Sequence, residues 1–367
     1  MLSRRLATDP PLRHRAFGLD VVRAVAILFV LITHSALFIP ISNTGPGIFK
    51  HGVLPVFGLI GVELFFGLSG YLIGQILLKR QRSLRRFYLH RLAKILPPYF
   101  LMITLIALAT AAPWTIIWAH LSFTQNFDPN MAAFFPVSWS LSIEFWFYAV
   151  IPLILWRAHH PGVVIRRLVG IIGLLLIARL ILATTTQPYW EFGVHRLIPL
   201  RLDAMLFGVL AAVIDTRYPR LCQRICHYRV AIINLVALVG ICVWFGWMFY
   251  HYPQFEQAHL AKAVIFTLTG FMIMQLLLSA KHHLEAFARH ALLSRIASWL
   301  SQISYSLYLI HLFIFSYGAT MGWPVGITLP LVIMSSLAAA SLMYYLFEVA
   351  IVLKLRRWLE HRWLAGT

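Results

Sequence analysis

Long apolar stretches, separated by short loops in which the basic residues collect, constrain this chain more than any other feature. Hydropathy predicts spans near residues 20–40, 56–78, 95–112, 138–156, 168–186, 198–215, 230–250, 261–280, 298–318 and 326–353. Most of them approach the roughly 20 residues that a helix needs to cross a bilayer. Backbone groups in lipid must bond within their own segment, so the expected fold class is all-α, a polytopic transmembrane helical bundle of about ten spans. Composition agrees, with 60% hydrophobic and only 12% charged residues. Soluble domains carry about twice that charged fraction.

The formal charge of +19 is not gathered in one patch or tail, which argues against nucleic acid as a partner. It falls instead in the loops RAHHPGVVIRR, TRYPRLCQRICHYR and KHHLEAFARHALLSR, in the terminal KLRRWLEHR, and in the N-terminal segment. These loops all follow even-numbered spans, whereas the opposite loops carry little more than Lys50 and Arg196. The positive-inside rule then places both termini in the cytoplasm. This divides the chain into a cytoplasmic tail at 1–17, a membrane domain at 18–353 and a second tail at 354–367. Three cysteines make no disulfide framework, and Cys222 and Cys226 lack the matching Cys/His pair of a zinc site, so no metal is expected. The first apolar run follows a polar stretch and is too long for a signal-peptide core, so no cleavable signal is expected.

Within the first span, GLDVVRAVAILFVLITHSALFIP, stand Asp20, Arg23 and His34. Positions 20, 23, 27, 30, 31 and 34 fall near one helix face. The rise from Arg23 to His34 is about 16 Å, so Arg23 sits at one membrane surface and His34 well inside. Ionisable groups inside a span are costly and mark function or a buried polar partner.

Further polar groups recur. The segment KRQRSLRRFYLHRLAK, residues 79–94, interleaves Leu84, Phe87, Tyr88 and Leu92 with its charges, which predicts an amphipathic helix lying on the membrane surface. Its basic residues either orient the chain and hold lipid headgroups or bind a phosphate-bearing ligand. The adjoining Ser69-Gly70-Tyr71 favours the ligand, because glycine permits close backbone approach. In the fourth span Ser140, Glu144 and Tyr148 share a face. Glu144 lines a wet cavity or forms a structural pair, for example with Arg201. Arg201 and Asp203 point to different faces and are expected to find partners on other helices. Ser304, Tyr305, Tyr308 and His311 form a polar stripe in which His311 reads as an interhelical hydrogen-bonding residue. Glu348 reads as the neutraliser of a neighbouring Arg.

Together the blocks GLDVVRAVAILFVLITHS, GVELFFGLSGYLI, LRRFYLHRLAKILPPY, SWSLSIEFWFY, RLDAMLFGVLAA and ISYSLYLIHLF resemble the bacterial integral-membrane acyltransferase family three, of the O-acetylase type that modifies surface glycans. They occur in that family's order and cover most of the chain. The family's Arg-x10-His pattern falls on Arg23 and His34, its acidic block on Glu63, its basic block on Arg86 and Arg91, and its Trp-Ser-Leu-x-x-Glu block on Trp139, Ser140, Leu141 and Glu144. Lys94 stands where the family commonly has Arg, and Phe145 where a second acidic residue often follows. The C-terminal esterase-like domain of some members is not expected here.

The resemblance implies an acyl-CoA donor, commonly acetyl-CoA, and a hydroxyl acceptor on a glycan or similar molecule, in the inner membrane of a bacterium. A neutral His is a suitable base for a hydroxyl nucleophile. Catalytic roles are therefore expected of His34, as general base or acyl carrier, with Arg23, Asp20 and Glu144. Donor binding is expected of Arg86, Arg91, Ser69 and Gly70, and acceptor binding of Glu63, Trp139 and Tyr148. Membrane lipids complete the expected partners. The rival reading is a transporter or exporter of glycan or lipid whose buried charges line a pathway. An inverted repeat would favour it, and none is evident in the sequence. A purely structural scaffold leaves the intramembrane His and Glu without a reason.

Overall fold

The computed structural model describes residues 16–38, 52–78, 84–156, 158, 160–186, 188–352 and 354. Expectations placed on residues 1–15, on 39–51 with Lys50, on 79–83, on Arg157 and His159, on 353 and on 355–367 lie outside the described residues. In chain order the helices are α1 (Phe17–His34), α2 (Leu54–Leu77), α3 (Leu84–Thr110), α4 (Trp114–Leu121), α5 (Pro129–Ala132), α6 (Trp139–Ile154) and α7 (Pro161–Thr185). They continue as α8 (Asp203–Arg217), α9 (Pro219–Ile225), α10 (Tyr228–Tyr250), α11 (Tyr252–Gln257), α12 (His259–His283), α13 (Ala291–Thr320) and α14 (Val325–Met343). Short non-α turns fill several junctions, among them the wide π-helical turns Trp190–His195 between α7 and α8 and Tyr344–Val352 after α14. No strand occurs among the described residues.

Nine helices among the described residues are long and apolar enough to cross a membrane. The span expected near 198–215 is α8, which has 15 residues. That is about 22 Å of helix, short of the roughly 30 Å hydrocarbon core. It can be short because residues 203–214 are all buried, with α2, α7 and α12 packed around them. Lipid does not set its length; its neighbours do.

Close packing of α8 depends on glycine. A Cβ on Gly70 of α2 would lie 1.9 Å from the Met205 carbonyl oxygen, and one on Gly208 of α8 would lie 2.1 Å from that of Gly67. Small residues let membrane helices approach backbone to backbone, where dispersion replaces the missing hydrophobic drive. The approach that Gly70 permits is thus to Met205 on a neighbouring helix.

Two buried ion pairs fix the same core. Arg179 on α7 donates two parallel bonds of 2.6 Å to the carboxylate oxygens of Asp203. It also reaches the carbonyls of Ala263 and Leu200 and the Thr267 hydroxyl, tying α7, α8 and α12. Arg201 pairs with Glu63 of α2, both side chains being fully buried. The guanidinium lies 3.5 Å from the centre of the Phe266 ring. As the spacing predicts, Arg201 and Asp203 bind different helices. The pairing of Glu144 with Arg201 is not formed, because Glu63 takes that guanidinium.

A surface helix over 79–94 is also corrected. Residues 84–94 are the first turns of α3, which runs unbroken through Pro97 and Pro98 to Thr110. Each proline removes a donor from the helix ladder. Nearby, the Tyr305 hydroxyl of α13 donates to the Ile95 carbonyl at 2.8 Å and ties the two helices. The basic side chains therefore project from the end of a spanning helix.

Candidate functional site

α1 and α13 bring two histidines together. His311 Nδ1 faces only carbonyl oxygens, Tyr308 at 2.8 Å and Leu307 at 3.0 Å, so a neutral ring carries its proton there. Its Nε2 is then an acceptor, 3.2 Å from His34 Nδ1. His34 Nδ1 also lies 2.9 Å from the Val30 carbonyl. Both neighbours of that nitrogen are acceptors, so the proton is assigned to Nδ1 and the free lone pair of His34 to Nε2. The interhelical bond expected of His311 is thus made to His34 itself.

His34 lines a cavity of about 280 Å³. Trp139, Tyr308 and the turn bearing Trp190, Glu191, His195 and Arg196 line it too, together with Pro55, Gly58, Leu59 and Val62 of α2. Tyr308 is held by Ser140 at 2.7 Å and donates to the Val137 carbonyl at 3.0 Å. Asn126 donates to the carbonyls of Trp139 and Arg196, at 2.9 and 3.0 Å, and so locks two walls together. Glu191 pairs with Arg196 and faces His195 Nδ1 at 3.3 Å. Burial opposes the Glu191 charge, but His195 and Arg196 outweigh it and hold the carboxyl at about 2. Burial also pushes His195 below the ordinary imidazole range, against the pull of Glu191, which keeps the ring neutral near pH 7.

A second cluster lies toward the basic end of the bundle. Ser69 of α2 donates to Glu144 at 2.6 Å, and the Tyr148 hydroxyl donates to the same oxygen. The Arg91 guanidinium of α3 stands 5.9 Å from the Tyr148 ring centre. One face of α6 joins the two clusters: Ser140 meets Tyr308 at the cavity, Glu144 meets Ser69, and Tyr148 meets Arg91. From Trp139 to Tyr148 the rise is about 13 Å.

The remaining expected residues lie apart from these clusters. Asp20 accepts from Ser301 at 2.6 Å and Ser298 at 3.3 Å, tying the basic end of α1 to α13. Arg23 is half-buried on α1, and it and Lys94 both act electrostatically on Glu348. The Ser306 hydroxyl also donates to Glu348. Arg86 is exposed on the first turn of α3. Glu63 acts through Arg201, whose Nε donates to the His195 carbonyl at 2.9 Å. Among the described residues, no three His, Cys, Asp or Glu side chains gather as metal ligands.

Sequence reasoning missed Glu191, His195 and Asn126. WEFGVHR does contain a Glu-x3-His pair at one-turn spacing, but it stands in a loop where helix periodicity gives no signal. Asn126 has no local signature at all, since its partners are 13 and 70 residues away.

Comparison with known proteins bears on this arrangement. The chain is 26% identical over 327 residues to the O-acetyltransferase OatA of Staphylococcus aureus (strain NCTC 8325 / PS 47), covering 80% of this chain and 49% of that protein. It is 25% identical over 331 residues to a Bacillus subtilis (strain 168) protein with the provisional name peptidoglycan O-acetyltransferase YrhL, covering 80% and 48%. The chain thus spans about half the length of the curated relatives it matches. No solved structure matches it. Residues 17–363, which hold both clusters, match the acyltransferase domain of family three, and the chain belongs to that family of membrane-embedded acyltransferases.

Proposed function

We propose that this protein is an acyl-CoA-dependent O-acyltransferase of a bacterial inner membrane, which moves an acyl group, acetyl in the first instance, to a glycan hydroxyl. The observation that carries the reading is the His34–His311 pair, which leaves His34 Nε2 as the free base in a cavity beside Trp139 and Tyr308. The family and the names of its relatives support acyl transfer.

In this reading the basic end of the bundle faces the cytoplasm. Acyl-CoA approaches there, with Arg86 and Arg91 on its phosphates and its thioester passing Ser69, Glu144 and Tyr148 toward the cavity. The acceptor enters from the opposite side. Its hydroxyl gives a proton to His34 Nε2 as the oxygen attacks the thioester carbonyl. The tetrahedral adduct then collapses, the C–S bond breaks, and the CoA thiolate takes the proton back from His34. Ester and free thiol are the products, and the base is regenerated.

The test is single-turnover transfer from radiolabelled acetyl-CoA to glycan by purified protein in detergent or nanodiscs. Wild type should label the glycan. His34→Ala should lose about a hundredfold to ten-thousandfold, the usual share of a general base. Unimpaired transfer by a folded His34→Ala would remove the assignment.

A further inference from the structure

A groove of about 590 Å³ runs along the outside of the bundle between the end of α6 and the start of α7. Leu153 and Ile154 on one side and Ile171 and Leu174 on the other make it apolar. Leu153 and Leu174 are each 64% exposed, so they face away from the protein. α7, and α6 with the turn before it, are long and apolar enough to cross a membrane, which makes lipid the surroundings of this face. Gly170 keeps the groove open, since a Cβ there would meet nothing within 4 Å. From Arg166 to Leu174 the rise is about 12 Å, room for the upper part of an acyl chain.

Trp156, Arg166 and Arg167 complete the lining. Arg167 donates through Nη1 to the carbonyls of Ile154 and Trp156, at 2.9 and 2.6 Å, and so closes the end of α6. Its Nε and Nη2 make no bond among the described residues. Arg166 is exposed and, among the described residues, has neither hydrogen bond nor ion pair. No carboxylate lines the groove. Two guanidinium groups thus stand over an apolar channel with no acidic side chain in its lining. That matches an anion that carries hydrocarbon chains, because guanidinium holds phosphate through paired donors. Trp156 suits the same depth, where indole rings settle beside lipid headgroups. A second copy fits poorly, because a two-fold contact across the groove would set the arginines near their own copies.

We propose that this groove binds an anionic phospholipid, with Arg166 and the free edge of Arg167 on its phosphate and one acyl chain lying over Gly170 between Leu153 and Leu174. The site shares no lining residue with the His34 cavity. It stands whatever reaction the protein performs.

The test is photo-crosslinking of the full chain in phosphatidylcholine nanodiscs. Phosphatidylglycerol and phosphatidylethanolamine with the same diazirine-bearing acyl chains are each added at low mole fraction, and adducts are mapped by peptide mass spectrometry. On wild type the phosphatidylglycerol probe should mark residues 153–174 about tenfold more than the phosphatidylethanolamine probe, the worth of one charge-assisted contact. Arg166→Gln should remove most of that preference. Gly170→Leu keeps the charge and fills the groove, and its side chain enters open space on a helix that leucine favours. It should bring phosphatidylglycerol labelling down to the phosphatidylethanolamine level. Equal labelling of wild type by the two probes, an undiminished preference in Arg166→Gln, or undiminished labelling of Gly170→Leu would overturn the site. So would a segment that neither probe marks, the outcome if a second copy covers this face. The two-probe comparison needs no variant, so it decides the matter even where a substitution fails to fold.

Discussion

His34 and His311, 277 residues apart in the chain, meet with Nδ1 and Nε2 3.2 Å from one another. The contact orients one ring by the other, so the two histidines should fail differently. His311→Ala leaves His34 Nδ1 its bond to Val30 but frees the ring to turn. We expect kcat to fall about tenfold, the value of one orienting hydrogen bond, with the acyl-CoA KM unchanged. His34→Ala should fall at least tenfold further. Single-turnover rates normalised to folded protein check the order.

Arg91 stands near Tyr148, whereas Arg86 is exposed at the end of α3. Replacing both with Gln should raise the acyl-CoA KM about tenfold, one to two charge-assisted contacts being lost. The deficit should shrink as salt is raised, because screening already weakens the wild type. Titrations of acyl-CoA at low and high ionic strength test this; an unchanged affinity would return the cluster to a role in orientation.

Acid should act through the turn at 190–196. The Glu191 carboxyl lies at about 2 when folded, below its ordinary 4.5. Its charge therefore stabilises the fold above about pH 4.5, and that contribution is lost as pH falls from there toward 2. His195, held neutral by burial, works in the same direction below its ordinary value, since the unfolded chain takes up that proton more readily. Glu191→Gln should lower the melting temperature at pH 7, and the gap to wild type should close in acid. Melting curves in detergent from pH 7 to 3 follow it.

Substitution of Gly70 by Ala places a methyl group against the Met205 carbonyl. Such overpacking typically costs about 1–3 kcal/mol. The helix pair α2–α8 also positions Ser69 beside Glu144, so activity per folded molecule should fall along with yield. Quantitative size-exclusion recovery and turnover report the two effects separately.

Orientation has its own test. Tyr189 is 80% exposed at the end of the bundle away from the basic loops. Tyr189→Cys in a cysteine-free background should react with a membrane-impermeant maleimide from outside the cell. Labelling only after permeabilisation would reverse the topology.

Apolar runs made the helical bundle legible because lipid imposes a long uniform signal on each span. They gave α8 too, although burial rather than lipid sets its length. His34, Glu144 and Tyr148 stood out as candidates because a polar group in a span is conspicuous, whereas Ser69 and Arg91 stood out through the small-residue turn and the basic segment that adjoins it. The pairing of Glu63 with Arg201 was not, because 138 residues separate them and many apolar neighbours look alike in sequence. The same holds for the Asn126 clasp, whose asparagine sits in a loop of ordinary composition.

The shortness of α8 has a consequence for where charge sits in the bundle. Asp203 and Asp215 lie at opposite ends of that helix, about 18 Å apart along its axis. Each has a polar neighbour, Arg179 for one and Lys281 for the other. Because that separation is less than the roughly 30 Å depth of a bilayer's oily layer, the two carboxylates cannot both stand at its surfaces, and at least one lies within it. Asp203, wholly buried with Arg179, is placed for that position, where the paired guanidinium takes over what water supplies at a surface.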